Sequence, residues 1–570
     1  MKNSKNYSLT RSFALKALVI LSVFTLSFFI INGFKARAVT TQDVTTEVTV
    51  GNASPKFNED GQPYEHPEST ETVPTTIGNN VTFKATATDS NGEPYYLTIC
   101  KTNEITPRST GAGTCSTAGQ TYCTSTQTTS GDEASCTYTA LDTDPWSNVW
   151  YAFVCDANAS QPACSATTTN QGSGDSGSPF YVNHVPTFSA ISNDGPKNPG
   201  ETVTWTATAS DSDGGNVTLL VCKTNQMTNG TCTDGAWCTA TSASNPTCGY
   251  DIPSVNPAGS NDAFVFIVDA VNTPATGTAQ GTNSSFDVNN VTPQVATVTL
   301  NGGNDISLVE KNTVAVPVTA TVVDANGCND ISTVSAIVYR SSQTCNTSVS
   351  NQNYCYPSIT CNQVAGSCNN TTGTANYTCS FNMQYFTDPT DTATPFVDDN
   401  WLTNVTATDA GSASHNLVLG TGVEVLSLLA FNVTGSINYG SKEPADLNQT
   451  LDKTLITEAT GNTGIDQDHS GSQYMCTDFP TCSTAGGRTR IGVEQQKYSM
   501  TEGQSYTATT GNHVLSVTPT RVLLNVNKPT STAPVQKNTY WGIAIPTGIA
   551  TGVYNGLNTI TAQVSATDDW

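Results

Sequence analysis

From Val81 the chain alternates strictly: Val81, Phe83, Ala85 and Ala87 are apolar, and Thr82, Lys84, Thr86 and Thr88 are polar. A period of two sends successive side chains to opposite faces, so the run predicts a strand with one face on a core and one in water. The pattern returns at Val203, Trp205, Ala207 and Ala209. Asp89-Ser90-Asn91-Gly92 and Asp211-Ser212-Asp213-Gly214 then read as turns, followed by second strands at Tyr96 to Cys100 and Val217 to Cys222. Phe83 and Trp205 hold the same place and read as core aromatics.

The two copies keep one offset of 122 residues, from 81 to 203 and from 100 to 222, and FVCD at 153–156 answers FIVD at 266–269. A joint phrase recurs too: Asn52-Ala53-Ser54-Pro55, Asn183-His184-Val185-Pro186 and Asn290-Val291-Thr292-Pro293 each end a strand and meet proline, which resists continuing a ladder. These joints predict sandwiches at 48–183, 184–289, 290–432 and 433–570. In the third, Val314 to Val323 and Ser332 to Tyr339 are strands, Cys345 to Cys379 is a Cys-rich insertion, and Met383 to Phe386 and Leu402 to Thr408 close the unit. The fourth has strands near 491–498, 514–517, 522–526, 540–545 and 558–564, with short helical turns over Leu451 to Glu458.

Charged residues make up only 12% of the 570 residues, while 36% are hydrophobic. Short alternating runs rich in Thr, Ser and Asn suit half-buried strands better than helices. The net charge of -24 argues against nucleic acid as a partner. The first 38 residues read as an export signal: Lys2, Lys5, Arg11 and Lys16, then an apolar core from Ala17 to Ile31, then Ala36-Arg37-Ala38 before the expected cleavage. The competing reading is an uncleaved anchor, the only expected route to the membrane. An extracellular or cell-surface location follows from either.

All 18 cysteines lie beyond that segment, as an oxidising compartment permits. Cys155 and the Cys164 region correspond to Val268 and to Ala275 or Thr276 in the second copy, so both cysteines are missing there together. That predicts a Cys155–Cys164 bond. Cys476 and Cys482 should close a small loop. The other pairings stay open.

No nucleophile–base set, phosphate loop or dinucleotide fingerprint is present, and the five histidines lie far apart, so an enzyme is not expected. His184, in a joint, is expected at the surface. The site expectation is calcium at the turns: Asp89, Asn91 and Glu93; Asp211, Asp213 and Asn216; and Asp324, Asn326, Asn329 and Asp330. Alternate oxygen-bearing side chains can converge on a hard cation. Plain turn formation is the competing reading.

The segments VTFKATATDSNG and VTWTATASDSDGG resemble opening strands of tandem immunoglobulin-like, PKD-like and cadherin-like surface modules of bacteria and archaea. NDISLVEKNTVAVPVTATVVDANGC and TYWGIAIPTGIATGVYNGLNTITA are similar to stretches in large exported proteins of uncultured small-genome bacteria. The resemblance implies an all-β chain of tandem immunoglobulin-like sandwiches acting as a spacer, adhesive surface or envelope component. The chain lacks a WDFGDG-like segment, the Cys…Trp…Cys spacing of antibody-type domains and an LPxTG motif. Two functions compete: a structural rod contacting cell-envelope components or itself, and an adhesin gripping extracellular glycan or protein through the Cys-rich loops, with Tyr354 and Tyr356 as contacts.

Overall fold

The computed structural model describes residues 45–59, 62–116, 118–166, 178–566 and 569–570; the expected export signal lies outside them. The chain is all-β, a series of small sandwich-like units braced by disulfides. None of the described helices is long and apolar enough to cross a membrane.

In the first stretch, strand Asn80–Thr88 pairs with Glu133–Thr139 on one side and with Lys56–Phe57 and Tyr64–Glu65 on the other. Facing it, Tyr95–Cys100 lies between Tyr151–Asp156 and Thr121–Thr124. Val81, Phe83, Ala85 and Ala87 are all fully buried between these sheets, as the alternation requires. Phe83 meets Trp150 edge-on at 5.0 Å and Phe180 at 5.9 Å. The second stretch repeats the plan with Thr202–Ser210 and Val217–Cys222, and Trp205 packs against Phe286.

One disulfide in each copy joins the two sheets, Cys123–Cys136 and Cys238–Cys248. Another in each ties the loop beyond the second strand, Cys100–Cys115 and Cys222–Cys232. Cys155–Cys164 is bonded, as the paired absence in the second copy predicts, and so is Cys476–Cys482.

The third stretch has longer strands. Thr313–Val323 pairs along its length with Thr374–Gln384, and Ile331–Arg340 with Trp401–Asp409. The Cys-rich run is not a loop appended to this sandwich. Its strand Cys355–Gln363 pairs with Ile331–Arg340 from Cys355 to Thr360 and with Thr374–Gln384 through its last three residues, so it stitches the sheets together. Cys361 faces Cys379 in register and is bonded to it. Tyr356 is buried and hydrogen-bonds Thr387 at 2.6 Å, while Tyr354 is half-buried.

In the fourth stretch the helical turns expected over Leu451 to Glu458 are instead strand Lys453–Ala459, between Phe431–Thr434 and Val535–Ile543. Thr454, Ile456 and Thr457 are β-branched and stiff at χ1, and two flanking strands supply the ladder. The opposite sheet centres on Ile465–Gly471. Between them His469 stacks on Trp541 and bonds Gln467 at 2.8 Å, which in turn donates to Thr457.

Each stretch buries its own apolar set. The main clusters draw on residues 57–182, 188–288, 295–428 and 433–560. No cluster takes residues from two of these ranges among the described residues.

Candidate cation sites at the module joints

The same hydrogen-bonded device sits at all three joints. The joint asparagine donates through Nδ2 to an aspartate that ends a strand or borders one: Asn52 to Asp156 at 2.9 Å, Asn183 to Asp269 at 2.8 Å, Asn290 to Asp409 at 2.9 Å. The residue after it donates its N–H to the side chain of the third turn residue. These contacts are Ala53 to Asn91 at 2.8 Å, His184 to Asp213 at 2.7 Å and Val291 to Asn326 at 2.6 Å. The first turn aspartate, Asp89, Asp211 or Asp324, accepts the N–H two residues on. Such Asx contacts hold the turn, which is why Asp and Asn recur there.

At the first and third joints carboxylates converge further. Oxygens of Asp89, Glu93 and Asp156 all lie within 4.8 Å of one another, as do those of Asp324, Asp330 and Asp409. Asp89 Oδ2, Glu93 Oε2, Asn52 Oδ1, Asp324 Oδ2 and Asp330 Oδ2 are buried atoms with no hydrogen-bond partner. Burial, with the charges of Asp330 and Asp409, pushes Asp324 up to about 6 against the N–H of Asn326. Burial and then Asp409 also raise Asp330.

The second joint is built differently. Gly215 stands at the offset position of Glu93. His184 is not a free surface residue: its Nδ1 lies 2.6 Å from Asp213 Oδ1 and its Nε2 3.2 Å from the carbonyl of Asp142. Asn216 is exposed, and at the third joint so is Asn329. Asn91 and Asn326 bind the joint backbone.

Asp156 and Asp409 were not among the sequence candidates. The matching phrases FVCD and FIVD both end in aspartate, which was the available signal for Asp156 and Asp269.

Three histidines are held by structure: His184 as above, His415 accepting the N–H of Val295 at 3.1 Å, and His469 in the fourth core. Among the described residues no histidine hydrogen-bonds a serine or threonine hydroxyl.

No family model matches the chain, and no curated protein matches it. Solved structures with a similar arrangement include a marsupial T cell receptor, at 9% identity, 63% of this chain, 99% of that chain and a TM-score of 0.26. The FN1–FN3 domains of chicken CNTN1 match at 8% identity, covering 64% and 98%, with a TM-score of 0.15. A 1.5-MDa bacterial ice-binding adhesin matches at 15% identity, covering 66% and 99%, with a TM-score of 0.23.

Proposed function

We propose that the chain is an exported structural protein of the cell surface, a string of sandwiches with divisions at 48–183, 184–289, 290–432 and 433–570 that spans distance rather than catalysing a reaction. The observation that carries this reading is the set of separate apolar cores, each with its own disulfides, with one recurring hydrogen-bonded device at the entry to each of the first three. A chain whose modules share no apolar core and whose first three modules are entered through the same contacts is suited to holding a defined length. Cell-envelope components, or further copies of the chain, are its natural partners.

Small-angle scattering of the exported chain tests the shape. A compact globule of this length would have a radius of gyration near 25 Å; the reading requires a clearly larger value, and one near 25 Å refutes it. Fractionation of the source cells then tests the location, since the reading requires the chain in the envelope fraction.

The adhesin reading loses Tyr356 as a contact, because that side chain is buried in strand Cys355–Gln363, which runs between two neighbouring strands. What supports a binding role instead is a cavity of about 710 Å³ in the fourth stretch, lined by residues including Tyr439, Ile491, Ile545 and Tyr554. A glycan and peptide array probed with the full chain and with Tyr439→Ser tests it.

A further inference from the structure

We propose that the first and third joints each bind one calcium ion, the first through Asn52, Asp89, Glu93 and Asp156 and the third through Asp324, Asp330 and Asp409, while the second joint binds none. The proposal stands apart from the structural role, since an ion could bind whatever the chain does.

Two independent observations meet at each site. The first is convergence: three carboxylates offer oxygens within 4.8 Å of one another. Two calcium–oxygen bonds of about 2.3–2.6 Å span about that distance across one ion, and calcium accepts irregular shells of carboxylate and amide oxygens. The second is unmet bonding capacity. Asp89 is 6% exposed and Asp324 1% exposed, yet one oxygen of each has no donor. Glu93, Asp330 and Asn52 add further unpartnered acceptors to the same places. An unsatisfied buried acceptor is destabilising, more so when charged, and three carboxylates at such spacing repel one another. Among the described residues none of the six carboxylates has a lysine or arginine partner. A hard divalent cation answers both deficits at once; a single bound proton or water does not.

The second joint explains its own exclusion. Gly215 removes the third carboxylate, and His184 brings a ring nitrogen to Asp213. Among the described residues, Asn183, Asp211, Asp213 and Asp269 carry no fully buried acceptor without a partner.

At the third joint the ion would steady more than its own turn. Asn326 donates to the carbonyls of Asn256 and Asn289, and Asn256 donates its N–H to Ala325. The turn that carries Asp324 is therefore also where the second stretch docks on the third.

Equilibrium dialysis of the full chain against radiolabelled calcium chloride at pH 7.5 tests the proposal. Two equivalents are expected, with affinities of roughly 10⁻⁴–10⁻³ M, the range of extracellular modules. Asp89→Asn with Glu93→Gln should remove one equivalent and leave the other, as should Asp324→Asn with Asp330→Asn. The surviving site in each variant reports that the chain is still folded. Gly215→Glu should add a third equivalent, because a Cβ there meets only Asp211 Oδ2 at an ordinary 3.7 Å. No binding, three equivalents in the wild type, site variants that keep both ions, or an equal response to magnesium chloride would each overturn the proposal.

Discussion

Replacing Lys528 by methionine removes the ammonium that joins the fourth stretch to the third. Lys528 is 3% exposed; its Nζ lies 3.0 Å from Asp388 Oδ1 and 2.8 Å from Asn353 Oδ1, both in the third stretch. Burial lowers the pKa of this lysine, and the charge of Asp388 works against that. At 3.0 Å and an effective dielectric constant of 20 the gross attraction is about 5–6 kcal/mol. Desolvation of both groups takes back much of it, and truncating one member of a buried pair typically costs about 3–5 kcal/mol. Asp388 would not be abandoned, because Arg340 Nε lies 3.3 Å from its other oxygen. The net loss should therefore fall at about 2–3 kcal/mol, at or below the low end of that range. The neighbouring contacts Asn462 to Thr387 and Thr460 to Glu310 would remain. Calorimetry and guanidinium titration of the full chain read the effect as an earlier transition for the third and fourth stretches with the first two unmoved. Lys84→Ala is the control, since its pair with Glu133 is partly exposed and is worth under about 1 kcal/mol. A Lys528→Met chain no less stable than the Lys84→Ala chain would refute the reasoning.

Removing Cys155–Cys164 with two alanines opens a loop of separation 9 and should cost about 2.5 kcal/mol in the chain-entropy picture, measured as a lower midpoint for the first stretch. Glu65 is pushed up to about 8, chiefly by burial, against hydrogen bonds from Trp150 and Ser69. Its folded value exceeds its unfolded one, so its contribution is fully present below pH 4.5 and is lost as pH rises through 8; the melting temperature should fall over that window, and Glu65→Gln should flatten the trend. Gly277→Ala should destabilise the second stretch by more than about 2 kcal/mol, because φ is +131° and a Cβ would meet the Phe188 carbonyl at 2.1 Å; an unchanged denaturation midpoint would show that the turn can move.

Strands with one wet face were readable because alternation leaves a direct mark: Thr202–Ser210 buries Val203, Trp205, Ala207 and Ala209, the positions its alternation picks out. Lys453–Ala459 was not readable, since four of its seven residues are buried and Thr457 and Glu458 hide among them. A central strand flanked on both edges has no clean period, and periodicity alone does not separate it from a helix. The turn residues Asp89 and Asp324 were legible because a local cluster stands out in one dimension. Asp156 and Asp409 come from distant strands, and only the sheet pairing brings them alongside. The buried chain from His469 through Gln467 to Thr457 left no trace for the same reason.

The most direct measurement is a non-reducing peptide map, by mass spectrometry, of the native chain purified from its source without reductant. All 18 cysteines should appear in bonds internal to one stretch, with Cys123–Cys136, Cys238–Cys248 and Cys361–Cys379 joining strands within their own units. Free thiols, or a bond linking a cysteine before 184 to one after 290, would contradict a series of separately braced sandwiches.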